Sequence, residues 1–244
     1  MFRAMLLAAG KGTRMRPLTD DLPKPILRAG NKMLIEYHLE KLARSGFADI
    51  VINHAYLGSM IESALGDGSR YGVTIHYSAE QEGLETAGGI ANALPLLTDT
   101  ACQRPFVVAN ADIFCQLDFA SLYPVLEQMN STANSLLAHL ILVDNPAHHS
   151  EGDFWLHPQS GRLSQSGGTG WSKLTFGGIG VYHPLLFKNI APGRSQKLAP
   201  LLREAMDGGE VSGAYFAGTW MDIGTPERLH ELDASLNCHP VREI

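Results

Sequence analysis

Cysteine is scarce in this sequence, with only 3 among 244 residues. Cys102, Cys115 and Cys238 are far apart, odd in number and in no C-x-x-C spacing. This pattern excludes a disulfide framework and a structural zinc site. The sequence therefore fits a reducing compartment.

Long apolar runs are also missing. The apolar run nearest the N-terminus, residues 4–9, is too short for the hydrophobic region of a signal peptide. No stretch approaches the roughly 20 apolar residues that span a bilayer. We therefore expect a cytoplasmic protein without a membrane partner.

Positive charge is in the minority, because 19 Lys and Arg stand against 25 Asp and Glu, giving a net charge of -6. Such a chain has no global positive field, so we expect no nucleic-acid partner. An anionic ligand would need a local surplus of cations, and residues 1–32 provide one. Only Asp20 and Asp21 oppose the cations of that segment, which are Arg3, Lys11, Arg14, Arg16, Lys24, Arg28 and Lys32.

The first half of the chain alternates short β-branched runs with helical patterns. The runs predict strands at residues 4–8, 49–54, 73–78 and 106–110. Apolar periodicity predicts helices at 34–45, 57–65 and 89–97, and Gly46 is a plausible end of the first. Strand and helix alternation with short links is typical of right-handed βαβ crossovers. We expect one three-layer α/β domain over residues 1–244, with a mostly parallel, mixed sheet and a Rossmann-like first half.

The second half changes character. Strands are predicted at residues 137–143, 174–182 and 214–221, and a helix at 197–206. A final helix is expected to start where Thr225 can cap its N-terminus and Pro226 suits its first position. Residues 164–171, rich in glycine and serine, predict a mobile surface loop.

The strongest chemical pattern is a basic glycine loop after the first strand. Its residues run Leu6-Leu7-Ala8-Ala9-Gly10-Lys11-Gly12-Thr13-Arg14-Met15-Arg16-Pro17-Leu18-Thr19. Backbone N–H groups of such a turn can approach phosphate oxygens. An ordinary strand-to-helix turn would carry the same two glycines. A dinucleotide-binding motif fits poorly, because Met15 stands where the third glycine belongs.

Lys24 lies between Pro23 and Pro25, and a residue before proline is pushed into extended geometry. Its side chain can therefore be directed with little loss of backbone entropy, although a surface-turn lysine would look the same. Arg14 offers a planar fork to two phosphate oxygens, whereas Lys24 is a compact point charge. Two such fixed cations suit a triphosphate better than a pyrophosphate bridge.

Two aspartates are candidate metal ligands. Asp112 follows the strand predicted at 106–110, and ligands of open α/β sheets bind beyond the carboxyl ends of strands. Asp222 follows a second apolar run. Carboxylates at such places suit Mg²⁺, although turn or cap aspartates are the commoner case.

These motifs together resemble the sugar-1-phosphate nucleotidyltransferases. The similar segments are the glycine loop with Pro23-Lys24-Pro25, Leu34-Ile35-Glu36-Tyr37-His38-Leu39, Gly83-Leu84-Glu85-Thr86-Ala87-Gly88-Gly89, Asn110-Ala111-Asp112 and Trp220-Met221-Asp222-Ile223-Gly224-Thr225. The subgroup that is most similar comprises the N-acetylmuramate-1-phosphate uridylyltransferases of bacterial cell-wall recycling. Residues 53–58, 66–72 and 144–149 carry that similarity. The glutamate-lysine-proline element that binds sugar in longer relatives is not evident.

The resemblance implies transfer of UMP from UTP to N-acetylmuramate 1-phosphate, with Mg²⁺ required and pyrophosphate released. Mannose-1-phosphate guanylyltransferase, or another transferase of the family, is the alternative. A nucleotide-binding regulatory subunit is a second class, and a nicotinamide oxidoreductase is disfavoured by the missing glycine. The oligomeric state stays open, with a monomer included.

The resemblance also implies roles for individual residues. Asp112 and Asp222 would hold Mg²⁺, Arg14 would bind the β- and γ-phosphates, and Lys24 would steady the α-phosphate and the attacking phosphate. The nucleotide, bound by about residues 1–115, would contact Arg14, Lys24 and also Leu7, Ala8, Ala9, Gly10, Gly12, Thr13, Glu80, Gly83, Glu85, Thr86 and Asn110.

The sugar would be bound by the second half, about residues 116–244. The resemblance implies contacts to Asn145, Asp153, Gly177 and Gly178, and the charge of Lys197 makes it a further candidate. The lactyl carboxylate of N-acetylmuramate would require a cation, and His148, His149, Lys197 and Arg203 all stay open for that role. The adjacent histidines fit a polar loop better than a metal site, because their side chains point in different directions.

Overall fold

The computed structural model describes residues 1–99, 103–133 and 135–238. Its strands are β1 Ala4–Leu7, β2 Arg28–Ala29, β3 Lys32–Met33, β4 Asp49–His54, β5 Thr74–Ala79, β6 Phe106–Asn110, β7 Ile113–Cys115, β8 Ala138–Val143, β9 Phe154–His157, β10 Arg162–Ser164, β11 Ser172–Tyr182, β12 Val211–Tyr215 and β13 Trp220–Asp222. Its α-helices are α1 Leu34–Arg44, α2 Gly58–Leu65, α3 Glu85–Leu97, α4 Tyr123–Asn130, α5 Leu198–Asp207 and α6 Pro226–Cys238.

The main sheet has nine strands in the order β5-β4-β1-β6-β11-β8-β12-β10-β9. The strands β5, β4, β1 and β6 pair in parallel, as the alternation of strands and helices predicts. The long strand β11 pairs antiparallel with β6 and β8, whereas β12 is parallel to β8. The sheet is therefore mixed, and its first half is wholly parallel.

Helices cover both faces of this sheet, which gives the three layers. Alternate residues of β1 enter different cores, because successive side chains of a strand point to opposite faces. Leu6 packs with α1 and α2 through residues such as Leu39 and Ile61. Met5 packs on the other face with α3 and α5, for example with Ile90 and Leu202. The predicted three-layer α/β fold is confirmed.

A third, smaller core lies under α6. Leu229 and Leu232 of this helix pack with Met15, Phe114 and Ile223. Met15, which replaces the third glycine of a dinucleotide-binding motif, is fully buried there. The glycine loop is thus anchored by an apolar side chain to a helix close to the end of the sequence.

Most predicted element bounds agree with the structure to within two residues. Helix α1 ends at Arg44, and Gly46 has a φ of 86°, a left-handed conformation that glycine adopts without strain. Helix α3 starts at Glu85 rather than at residue 89. The helix contains Gly88 and Gly89, so these glycines do not mark its start. The final helix starts at Pro226 as predicted, and the Arg228 N–H donates to Thr225 Oγ1 at 3.4 Å.

The strand predicted at 214–221 is wrong. The chain instead forms β12, which pairs with β8, and β13, which pairs antiparallel with β7 in a separate two-stranded sheet. The run favours β structure throughout, but tertiary pairing divides it between two sheets. The small strands β9 and β10 were not predicted, and residues 165–171 form turns and bends between β10 and β11.

Cys115 is buried, Cys238 is exposed, and both are free thiols, while Cys102 lies outside the described residues. Among the helices of the described ranges, none has the length and apolar character that a bilayer crossing requires.

Candidate active site

A cleft of about 440 Å³ opens where the parallel strands end. Strands β1 and β6 finish here at Leu7 and Asn110. The cleft contains every residue predicted to contact the nucleotide, together with Asp112: Leu7, Ala8, Ala9, Gly10, Gly12, Thr13, Arg14, Lys24, Glu80, Gly83, Glu85, Thr86 and Asn110. The structure therefore brings that whole set together. It adds six residues that were not predicted to contact the nucleotide: Lys11, Met15, Pro25, Asn53, Leu84 and Gly224.

The glycine loop has the shape that close approach of a ligand requires. Gly12 has a φ of 62°, and a Cβ atom added there would lie 3.1 Å from Thr19 Cγ2 and 3.3 Å from Lys24 Cβ. Thr19 Oγ1 donates to the Gly12 carbonyl at 2.8 Å and holds the turn. A Cβ atom on Gly10 would meet nothing within 4 Å, so the space in front of it is open. Arg14 is exposed and lines the cleft.

A buried polar network fixes the walls of this cleft. Asn53 Oδ1 accepts from the Ala8 N–H at 3.0 Å, and Asn53 Nδ2 donates to Glu80 Oε1 at 2.6 Å. Glu80 Oε2 accepts from the Leu84 N–H at 2.9 Å. Asn53 is 3% exposed and Glu80 is 7% exposed. These bonds join the end of β1 and the end of β4 to the loop before α3.

Glycine is required at position 89 by the same network. A Cβ atom there would lie 2.7 Å from Glu80 Oε1 and 2.8 Å from Asn53 Nδ2. Asn53 was missed as a site residue, although one signal was present in the sequence. An amide side chain near the carboxyl end of an otherwise apolar strand, residues 49–54, must find a polar partner when it is buried.

The loop before α3 holds an uncommon backbone conformation. Glu85 has a φ of 60°, which a residue with a Cβ atom rarely adopts. The N–H groups of Ala87 and Gly88 both donate to the Gln196 carbonyl, at 3.0 and 3.1 Å. Glu85 is exposed, and Thr86 is half-buried. Glu85 and Thr86 line the cleft, whereas the N–H groups of the next two residues are bonded to Gln196.

Lys24 and Asp112 form an ion pair at the cleft. Lys24 Nζ lies 2.6 Å from Asp112 Oδ2, and the side chain of Lys24 is only 7% exposed against 36% for Asp112. Lys24 belongs to a turn of 3-10 helix, Lys24–Ile26, that starts after Pro23, so the extended geometry expected at Lys24 is wrong. A buried ammonium group requires such a partner, because its desolvation is costly.

Asp222 reaches the same region through β13. The register of β13 and β7 places Asp222 opposite Ile113, and the Ile223 N–H donates to the Asp112 carbonyl at 3.0 Å. Asp222 Oδ2 accepts from Arg228 Nη1 at 2.7 Å, and His148 Nε2 lies 3.5 Å from the same oxygen. Each of the two predicted metal ligands is therefore paired with a cation of the protein.

A second cleft, of about 360 Å³, is lined by Asp222, two residues before Gly224 of the first cleft. Asn145, His148, Trp220 and Arg228 are among its lining residues. Asn145 is held in place because its Oδ1 accepts from Thr175 Oγ1 at 2.9 Å and its Nδ2 donates to the Lys173 carbonyl at 3.1 Å. Arg228 was missed because nothing in the sequence indicates that it contacts Asp222.

Gly177 and Gly178 lie between the two clefts, at an irregularity in the pairing of β11 with β8. The Gly177 carbonyl accepts from Trp220 Nε1 at 2.8 Å. Gly178 has a φ of 74°, and a Cβ atom there would lie 2.9 Å from Asn110 Nδ2. The close contact to Asn110, a residue of the first cleft, explains why glycine occupies position 178.

Asp153 and Lys197 line neither cleft, although Asp153 is hydrogen-bonded to the residue before Gly177. Asp153 accepts from the Phe176 N–H at 2.8 Å and lies 3.0 Å from His149 Nε2, so it supports β11. Lys197 is exposed at the start of α5 and is absent from the lining of both clefts. Arg203 lies on α5 as well, so of the cations open for the lactyl group only His148 lines the second cleft.

His38 supports the site from behind. Its Nε2 lies 2.7 Å from the carbonyl oxygen of Ile113, the residue after Asp112, and it is 1% exposed. Burial lowers the pKa of His38 to about 4. The ring is therefore neutral near pH 7 and donates a hydrogen bond to that carbonyl.

Comparisons with known proteins agree with this geometry. The family model "Nucleotidyl transferase" matches residues 3–150. The chain is 50% identical to the N-acetylmuramate alpha-1-phosphate uridylyltransferase of Neisseria meningitidis serogroup B over 95% of this chain and 97% of that protein. It is 29% identical to the mannose-1-phosphate guanylyltransferase catalytic subunit beta of Danio rerio, over 92% of this chain but 62% of that protein.

Solved structures show the same fold. A UDP-glucose pyrophosphorylase in its apo form superposes with a TM-score of 0.74 at 16% identity and covers 99% of this chain and 100% of that one. HddC from Yersinia pseudotuberculosis, complexed with GMP-PN, superposes with a TM-score of 0.72 at 20% identity and covers 97% and 100%. Taken together, the glycine loop, the cleft and these similarities show that the chain belongs to the nucleotidyl transferase family.

Proposed function

We propose that this protein transfers UMP from UTP to N-acetylmuramate 1-phosphate, giving UDP-N-acetylmuramate and pyrophosphate, in the cytoplasmic recycling of peptidoglycan. The observation that carries the proposal is the 50% identity to a uridylyltransferase of that name over nearly the whole length of both chains. The first cleft supports it, because the glycine loop, Lys24 and Asp112 line it. Asp222 lies nearby, since the next residue, Ile223, donates its N–H to the Asp112 carbonyl.

Mg²⁺ fits the residues present. Asp112 and Asp222 offer oxygen atoms, which Mg²⁺ prefers, and the backbone bond from Ile223 to Asp112 keeps the two segments adjacent. Within the described ranges no cluster of three or more metal-binding side chains occurs. This matches the usual magnesium site of one or two carboxylates completed by phosphate oxygens. When bound, Mg²⁺ would supply positive charge that neutralises the phosphates of the transferring group.

The side chains of this chain would do the rest by positioning and charge. Arg14 and the N–H groups of the glycine loop would hold the β- and γ-phosphates. Lys24 would lie between the α-phosphate and the attacking phosphate. Its side chain is largely buried, which keeps the ammonium group close to Asp112. An oxygen of the sugar 1-phosphate would then bond to the α-phosphorus, and the bond from that phosphorus to the pyrophosphate oxygen would break.

The base and the sugar would bind on opposite sides of this point. Gly83, Glu85 and Thr86 face the cleft on the base side, and Asn53 and Glu80 fix the loop that carries them. Asn145 and the backbone at Gly177 lie on the sugar side. We propose that both halves work as one domain, and the single sheet that runs through them supports this.

The test is a matrix of the four nucleoside triphosphates against several sugar 1-phosphates, with Mg²⁺, read by pyrophosphate release. Release with UTP and N-acetylmuramate 1-phosphate is expected. The second candidate is mannose-1-phosphate guanylyltransferase, which the 29% identity to enzymes of that name favours. Release with GTP and mannose 1-phosphate alone would decide for that activity. No release with any pair would indicate a nucleotide-binding subunit.

A further inference from the structure

Arg228 has a partner that the helix around it does not explain. It is the third residue of α6, where the helix dipole disfavours a cation. Its Nη1 nevertheless donates to Asp222 Oδ2 at 2.7 Å and lies 2.9 Å from His148 Nε2. The side chains of Arg228 and Asp222 are 16% and 21% exposed, so the pair is partly shielded from water. Asp222, rather than α6, accounts for the position of this guanidinium group.

The pair lies at the boundary of the two clefts. Asp222 and Arg228 line the second cleft, whereas Gly224 lines the first. A Cβ atom on Gly224 would lie 2.6 Å from Arg228 Nη2 and 3.0 Å from Asp222 Oδ2. The guanidinium group therefore packs against the backbone that separates the clefts. It is within reach of both the proposed metal position and the proposed sugar position.

The guanidinium group has donors to spare. In the part of the chain that the structure describes, the side-chain bonds of Arg228, one to Asp222 and two to the ring nitrogens of His148, all leave from Nη1. Nε and Nη2 are therefore available to a further acceptor. A planar fork of donors is suited to two oxygens of one phosphate or carboxylate.

The two proposed magnesium ligands are occupied in the same manner. Lys24 pairs with Asp112 at 2.6 Å, and Arg228 pairs with Asp222 at 2.7 Å. A divalent cation that binds these carboxylates must compete with both internal cations. Displaced from Asp222, the guanidinium group would be a partly buried charge without a counter-ion, and such a charge needs a new anion nearby.

We propose that Arg228 is the counter-ion of Asp222 in the metal-free protein and a substrate-binding residue in the loaded one. When Mg²⁺ takes the Asp222 carboxylate, the Arg228 guanidinium passes to an oxyanion of the sugar substrate in the second cleft. This inference rests on the proposed function for the nature of the sugar. Two oxyanions have the chemistry that fits, namely the 1-phosphate and the lactyl carboxylate.

The first measurement needs no substrate. Binding of Mn²⁺, as a paramagnetic substitute for Mg²⁺, is followed by electron paramagnetic resonance on the free protein. Arg228→Ala removes a competing charge, so the dissociation constant for Mn²⁺ is expected to fall by about fivefold. Arg228→Lys, which keeps the charge, is expected to remain within about twofold of wild type. Unchanged or weaker binding in Arg228→Ala would overturn the counter-ion role.

The second measurement uses the whole enzyme under steady-state conditions. Arg228→Ala is expected to raise the KM for the sugar 1-phosphate by about 10- to 100-fold, while the KM for UTP changes by less than about threefold. A merely structural loss would weaken metal, nucleotide and sugar together, whereas the proposal requires opposite effects on metal and sugar. An unchanged KM for the sugar would sink the substrate-binding role.

A second sugar substrate separates the two candidate oxyanions, and a further variant serves as a control. N-acetylglucosamine 1-phosphate lacks the lactyl group, so an equal loss with both sugars assigns Arg228 to the 1-phosphate, and a loss confined to N-acetylmuramate assigns it to the carboxylate. Arg44→Ala, which removes an exposed pair with Glu40, is the matched control and should change neither constant. Should another sugar 1-phosphate prove to be the substrate, the proposed function fails, and the Mn²⁺ arm and that sugar's KM still decide the role of Arg228.

Discussion

Lys24 and Asp112 lie 2.6 Å apart, and the side chain of the lysine is 7% exposed. The two residues depend on each other, because a buried ammonium group without its carboxylate would be strongly destabilising. The pair also keeps a cation at the edge of the glycine loop in the ligand-free protein. Such preorganisation reduces the rearrangement needed during the reaction.

Asp112→Asn is expected to lower kcat by about 100- to 1000-fold, because an amide is a poor ligand for Mg²⁺ and carries no charge. The fold should persist at a lower melting temperature, since the amide oxygen still accepts from Lys24 Nζ but no longer neutralises its buried charge. Pyrophosphate release gives kcat, and circular dichroism gives the melting temperature. Asp207→Asn, an exposed carboxylate that accepts from Gln165, is the control that should retain full turnover. Turnover of Asp112→Asn close to wild type would contradict the metal assignment.

Asp222→Asn is expected to cause a loss of similar size. If both aspartates hold the same ion, kcat of the double variant should be only slightly lower than kcat of the less active single variant. The reason is that the effects of residues that act as a unit are not additive. The product of the two separate losses in the double variant would instead indicate independent roles. The measurement is kcat for the two single variants and the double variant at saturating Mg²⁺.

Gly10→Ala tests the close approach of phosphate to the loop. A Cβ atom at this position meets nothing within 4 Å, and Gly10 is not among the glycines with positive φ. The free protein should therefore keep its stability or gain up to about 1 kcal/mol. The KM for the triphosphate should still rise about tenfold, because the methyl group would occupy space next to the bound phosphates. An unchanged KM would show that phosphate does not approach this backbone.

The free energy of unfolding should fall as the pH falls below about 6.5. Burial lowers the pKa of His38 and of His139 to about 4 in the folded protein. The unfolded chain binds protons on these side chains near pH 6.5, so it binds more protons than the folded one between that pH and about 4. Between these two pH values, each histidine changes the free energy of unfolding by up to about 1.4 kcal/mol per pH unit. Its stabilising contribution is complete above this window and is lost below it.

Urea unfolding at about pH 7, 6 and 5 measures this slope above the range in which most carboxylates titrate. His38→Gln should be less stable overall but should show a smaller slope, because one of the two buried titrating groups is gone. An identical slope in wild type and variant would mean that His38 is protonated to the same extent in both states.

The parallel half of the sheet and the nucleotide cleft could be predicted from the sequence. Apolar runs bounded by turn residues fix β4 and β6 at their observed bounds, because a buried strand must be apolar on both faces. The place of the glycine loop in the cleft could be predicted, because the backbone conformation of such a loop depends on its local sequence.

The second cleft could be predicted only in part. Lys197 was chosen for its charge, and charge alone does not say on which side of α3 a residue lies. Arg228 was not chosen, because its contact with Asp222 depends on how α6 packs under β13. The run around residue 217 could not be divided from sequence, since the division depends on the partner strands, β8 for β12 and β7 for β13.

The burial of Met15 under α6 has a consequence for biosynthesis. Gly30 N–H also donates to Asp233 Oδ1 at 2.7 Å across 203 residues of sequence, so α6 braces the first part of the chain at two points. A ribosome makes the glycine loop well before α6. The loop therefore lacks both of these supports until α6 has been made, and nascent protein should bind triphosphate only after α6 has emerged.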